Sequence, residues 1–169
     1  MIIYYNEPIE RDGFTKLVKS FNEITKDDKE VELYFSSTGG LVSLIPAYVN
    51  LMNKYATKIY YIDQVNSSGF IISMLTNVDS EFLDGCSAVC HKPSVSNIAL
   101  DVDLKPISMN STELRTLKHP NPTYDNVISG IEFTKEERKL YDNGEDVIFD
   151  SDRLTEIKHR LTEIKKNMI

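Results

Sequence analysis

The hydrophobic positions change period along the chain, and the changes mark out its elements. Ile2 to Tyr5 is a short apolar run of strand type. Phe14, Leu17, Val18, Phe21 and Ile24 then recur at helical spacing, with Asp12 placed to cap the start. Val31-Glu32-Leu33-Tyr34-Phe35 reads as a buried strand, and Gly39-Gly40 marks a turn after it. Leu44 to Tyr55 predicts a helix that tolerates Pro46 only in its first turn. Lys58 to Asp63 is the next strand, Ser67 to Leu75 an apolar helix, and Glu81-Phe82-Leu83 and Ala88-Val89-Cys90 two short strands. Strands alternating with helices predict parallel strands joined by right-handed crossovers, the α/β class. In such sheets, sites form where strand C-termini hand over to the next element. The segments after Phe35, Asp63 and Cys90 are therefore where chemistry is expected.

Beyond Pro93 the pattern is lost. Residues 94–125 are polar and turn-rich, marked by Pro106, Pro120 and Pro122, and no element is predicted there. Thr134 and Glu137 form a capping-box pattern ahead of a helix through Tyr141, which Gly144 closes. Asp146-Val147-Ile148-Phe149 is a short strand. The end carries a repeat: Arg153-Leu154-Thr155-Glu156-Ile157-Lys158 returns as Arg160-Leu161-Thr162-Glu163-Ile164-Lys165, a period of seven. Leu154, Ile157, Leu161, Ile164 and Met168 make a narrow heptad stripe. Two heptads fall short of the three or four a coiled coil needs. The expectation is an amphipathic helix over 151–169 packing on its own domain, with an oligomer contact as the alternative.

Length, charge and cysteine usage narrow the class. The 169 residues suit one domain, 1–169. A net charge of −7 argues against a nucleic-acid partner, which normally meets a basic stripe. No apolar run is long enough for a membrane helix, and Met1-Ile2-Ile3-Tyr4-Tyr5 lacks the basic start of a secretory signal, so a cytoplasmic protein is expected. Cys86 and Cys90 are too few for a disulfide framework or a structural zinc site, and read as reduced core thiols. No metal and no cofactor are expected.

Three segments carry candidate chemistry. In Ser36-Ser37-Thr38-Gly39-Gly40, paired glycines after a strand let backbone N–H groups approach a ligand closely. The segment is neither a P-loop nor a dinucleotide fingerprint, because the lysine and the third glycine are missing. In Gln64-Val65-Asn66-Ser67-Ser68-Gly69, a serine stands at a helix N-terminus, near the positive end of the dipole, where an ordinary N-cap is the alternative reading. His91 ends the run Ser87-Ala88-Val89-Cys90, whereas His119 and His159 lie in polar surroundings and read as surface residues.

These segments resemble the proteolytic subunit of the Clp protease, of the ClpP/crotonase fold. That family carries a Ser-Pro-Gly-Gly turn, a Gln-x-x-Ser-x-Gly nucleophile segment and a His-Gln-Pro strand end in this order. Here they are Ser37-Thr38-Gly39-Gly40, Gln64-Val65-Asn66-Ser67-Ser68-Gly69 and His91-Lys92-Pro93, with Ser67 and His91 twenty-four residues apart. The resemblance implies a serine endopeptidase in which Ser67 attacks, His91 serves as general base and then general acid, and an Asp orients the imidazole. It implies an oxyanion hole from the N–H groups of Gly40 and Ser68, with Gly39 supporting the turn. Asp146-Val147-Ile148-Phe149-Asp150 matches the family's acid segment, with Asp150 in the family's Ser or Thr position, so Asp146 is the expected acid. Asp152 is the alternative, within the last helix.

The resemblance further implies a peptide or unfolded-protein substrate and a homo-oligomeric ring. Against the family, the N-terminal axial loops that engage an ATPase partner and the Gly-Leu-Val/Ile-Asp ending are expected to be missing, which leaves a double ring and an unfoldase partner open. The handle region would fall in 94–132, where Pro120 and Pro122 would break a long helix. Shortened relatives of this kind resemble those of bacteria and tailed phages. Two other readings remain: a catalytically silent scaffold or assembly subunit, since Asn66, Ser68 and Asp150 depart from the family's usual residues, and a crotonase-type acyl-CoA enzyme.

Overall fold

A computed structural model describes residues 1–92 and 122–167. Strands β1 (Ile2–Asn6), β2 (Glu32–Ser37) and β3 (Lys58–Val65) run parallel and side by side. Two strands share the far edge of β3: β4 (Asp79–Phe82) pairs with Lys58 to Tyr61, and β5 (Ser87–Cys90) joins further along, at Gln64. β6 (Val147–Asp150) closes the sheet antiparallel to β5. The helices are α1 (Arg11–Asn22), α2 (Ile45–Tyr55, entered through a 3₁₀ turn at Val42–Leu44), α3 (Ser68–Leu75), α4 (Pro122–Gly130), α5 (Lys135–Asn143) and α6 (Ser151–Asn167). The chain is an α/β protein with a mixed, mostly parallel sheet, as the alternation of elements predicts.

Side-chain alternation decides which face of the sheet is covered. Ile3 and Tyr5 of β1, Leu33 and Phe35 of β2, and Ile59 and Tyr61 of β3 point into one core. Ile2 and Tyr4 point the other way and are exposed. Leu17 and Phe21 of α1 and Tyr48 and Met52 of α2 cover that core. α3 is different. Every residue from Ser68 to Met74 is buried, so this short helix runs through the interior rather than along its surface. Its N-terminus therefore opens at the strand ends with little freedom to move.

Several boundaries differ from the sequence reading, each for a local reason. The α1 N-cap is Glu10, in extended conformation, and Asp12 lies in the first turn, where its charge still complements the helix dipole. The chain commits to helix early because Glu10 O already accepts from Phe14 N. α4 was hidden by its prolines and polar neighbours. Pro122 opens the helix instead of breaking it, at the position where its missing N–H costs nothing. Tyr124, Val127, Ile128 and Ile131 then bury at helical spacing.

Thr134 and Glu137 do form the reciprocal capping box, and Gly144 closes α5 in the left-handed region. In α6, Leu154, Ile157 and Leu161 are buried against the rest of the chain while Ile164 is 38% exposed. The stripe packs on its own domain over those three positions, and Met168 lies outside the described residues. So do Pro93, Pro106, His119, Pro120 and most of the expected handle region. Cys86 and Cys90 are free and buried, as read from the sequence. Among the described residues, no helix is long and apolar enough to cross a membrane.

Candidate functional site

β2, β3 and β5 all deliver their C-terminal ends to one region, and the three candidate segments meet there. β3 leaves the sheet through Asn66 and Ser67 and turns at once into α3. Ser67 takes φ 53° and ψ −117°, a conformation that side chains rarely adopt. Such a residue stores about 1–3 kcal/mol of strain and persists only where its surroundings fix it. Here Asn66 N donates to Ser37 O at 2.9 Å, Ser67 N to Val89 O at 2.8 Å, and Gly69 N to Asn66 O at 2.8 Å. A half-buried serine on a sharp strand-to-helix turn is thus fixed from three sides.

The paired glycines pass directly against it. Gly39 has φ +93°, and a Cβ there would lie 2.7 Å from Asn66 O and 2.7 Å from Ser67 Cβ. Gly39 O accepts from Ile9 N at 2.8 Å. Because this peptide is trans, the Gly40 N–H points the opposite way, off the Ile9 side. Ser68 is the first residue of α3, so its N–H belongs to the donors a helix start leaves without intrahelical partners. Its side chain is wholly buried and, among the described residues, its Oγ has no hydrogen-bond partner.

His91 follows β5 directly and is half-buried. Its Nδ1 lies 2.9 Å from Lys92 O. A carbonyl only accepts, so that bond puts the proton on Nδ1 and leaves Nε2 as the basic nitrogen. The His91 carbonyl accepts from the Tyr124 hydroxyl of α4, and Lys92 Nζ donates to Asp142 O of α5 at 2.8 Å. The β5–β6 register pairs Cys90 with Val147, so Asp146 stands across from His91 one step beyond the ladder. Asp146 is exposed. Asp150 caps α6, accepting from Arg153 N at 2.9 Å, and Asp152 lies inside that helix, as its sequence position suggests. Among the described residues, no hydrogen bond joins Ser67 to His91 or His91 to Asp146.

Cys90, which precedes His91 at the end of β5, is not a nucleophile at neutral pH. Burial pushes the Cys90 thiol up to about 12, so it stays protonated. Tyr124 was missed in the sequence. The signal was present as the spacing Tyr124, Val127, Ile128, Ile131 after Pro122, but the prolines masked it.

Fold and turn together define an α/β protein with a strained serine between a glycine turn and a helix start. No family model and no curated protein matches this chain. Among solved structures, it is similar to a peptidase from Plasmodium falciparum, with a TM-score of 0.60 over 93% of this chain and 91% of that one. At 15% identity, that likeness establishes the shared fold.

Proposed function

We propose that this protein is a serine endopeptidase of Clp-protease type, with Ser67, His91 and Asp146 as its triad. The observation that carries the proposal is the strained Ser67 at the start of α3, with Gly39 packed so closely that no side chain would fit. Ser67 Oγ attacks the scissile carbonyl carbon while His91 Nε2 takes its proton. The oxygen that becomes negative lies between the N–H groups of Gly40 and Ser68, where fixed donors need no reorganisation. Collapse of the intermediate breaks the C–N bond, and the amine leaves with the proton from His91. Water then repeats the sequence on the acyl-enzyme and releases Ser67. Asp146 orients the imidazole once its carboxylate reaches Nδ1. The Lys92 carbonyl holds the same tautomer in its place here. The neighbour of like fold, a peptidase, accords with this reading.

The reading includes a peptide or unfolded-protein substrate and a cytoplasmic homo-oligomeric ring, which light scattering would reveal as a single multiple of the 19.3 kDa chain. One observation favours a second reading, a silent scaffold: among the described residues, no hydrogen bond joins Ser67 to His91. Catalytic bonds are often long before substrate arrives, so both readings go to experiment.

A fluorescent fluorophosphonate distinguishes them. Wild type should label, and His91→Ala should label on the order of a thousandfold more slowly. Absence of labelling in wild type at every oligomeric state would establish the scaffold reading, and undiminished labelling of His91→Ala would remove His91 as base.

A further inference from the structure

We infer that Asn66 is a positioning residue whose side chain locks β5, and through it His91, at a fixed distance from Ser67. This rests on the peptidase reading of the same site. The ladder between β3 and β5 is short: one register pair, Gln64 with Ser87. Beyond it, β3 turns away into α3, yet the base rides on the last residues of β5 and its neighbour. Something else must hold the two chains together.

The residues at the turn supply it. Ser67 N donates to Val89 O at 2.8 Å, and Val89 N donates to Asn66 Oδ1 at 2.9 Å. Both backbone groups of Val89 are thus taken by adjacent residues of the nucleophile turn. Asn66 Oδ1 stands where the next strand carbonyl would have stood had β3 continued. The amide orientation is not arbitrary, since Val89 offers a donor and must face oxygen. Asn66 Nδ2 in turn donates to Gln64 Oε1 at 2.6 Å, which keeps the amide plane toward β5. His91 is two residues past Val89, on the same side of the strand by alternation. A shift of β5 along this clamp moves the base directly relative to Ser67.

A hydrophobic or small residue at position 66 would leave Val89 N without its partner and β5 free to slide. Misplacement of about 1 Å at a reacting group can cost about a hundredfold in rate. Asp at this position keeps the acceptor that Val89 needs, and Gln64 can rotate its amide to donate to it.

The test is the second-order rate of fluorophosphonate acylation from pH 6 to 9, for wild type, Asn66→Ala and Asn66→Asp, beside their thermal midpoints and the hydrogen exchange of Val89. Asn66→Ala should acylate about 10–100-fold more slowly, lose the wild-type dependence of rate on pH, and exchange Val89 faster. Asn66→Asp should stay within about threefold of wild type and keep that pH profile. Wild-type rate and profile in Asn66→Ala would overturn the role while leaving the peptidase reading intact. Wild type that takes no label would overturn both. If Asn66→Ala fails to fold, Asn66→Asp decides: a loss of tenfold or more, with Val89 still protected, contradicts the clamp.

Discussion

Ser67 and Gly39 occupy one crowded volume, and each explains the backbone of the other. Ser67 holds a positive φ because three backbone hydrogen bonds fix the turn on either side of it. Gly39 has to be glycine because any Cβ would overlap Ser67 Cβ and Asn66 O. Gly85 offers a control, since it also has positive φ, +84°, but nothing within 4 Å of its missing Cβ. Gly85→Ala should cost only the conformational term, about 1–2 kcal/mol. Gly39→Ala should cost at least about 2 kcal/mol more in urea unfolding and abolish fluorophosphonate labelling, since overpacking adds to strain. Equal costs for the two substitutions would show that the Gly39 contact relaxes freely. The serine, the glycines and the histidine were legible as motifs because each ends a strand of clear apolar pattern. The role of Asn66 was not, because a side chain replacing a ladder bond leaves no periodic trace.

At the scale of elements, the C-terminal helices divide into those with local signals and those without. α5 announces itself through Thr134, Glu137 and Gly144, and all three do in the fold what their spacing suggests. Thr134→Ala should cost about 1 kcal/mol, read from the urea midpoint. α4 opens on Pro122, which resembles a breaker until the buried Tyr124 and Val127 show a helix beginning there. In α6 the heptad stripe is read correctly only when burial is added. Leu154 is fully buried and Ile164 is partly exposed. Leu154→Ala should therefore destabilise by about 2–5 kcal/mol, and Ile164→Ala by less than about 0.5 kcal/mol. Comparable losses at both positions would mean that the outer heptad is also covered, as an oligomer contact would cover it.

Across the described residues of the molecule, the buried ionisable groups are thiols and phenols held neutral by the fold. Burial pushes Cys86 up to about 11 and Cys90 up to about 12 from an ordinary value of 9.0. It also raises Tyr5 and Tyr61. Groups raised in the folded state bind more protons there than in the unfolded chain. Their contribution is complete below the unfolded value near 9 and is lost as pH climbs toward the folded values. The urea midpoint should be level from about pH 7 to 8.5 and fall steadily above about pH 9. A midpoint still level at pH 11 would contradict the buried, neutral state of these groups.

The parallel sheet that buries them was legible because its strands are short apolar runs between helices. The antiparallel pairing of β6 with β5 was not, since nothing local in Val147–Asp150 encodes a partner more than fifty residues earlier. That pairing is what brings Asp146 opposite His91.

The proposed chemistry requires one particular hydroxyl as nucleophile, and two serines, Ser67 and Ser68, lie side by side at the helix start. Wild-type protein treated with a fluorophosphonate, digested and sequenced by tandem mass spectrometry measures this directly. The adduct should sit on Ser67, with Ser68 unmodified, and should be absent from Ser67→Ala. An adduct on Ser68, one that survives Ser67→Ala, or none at all would contradict the account.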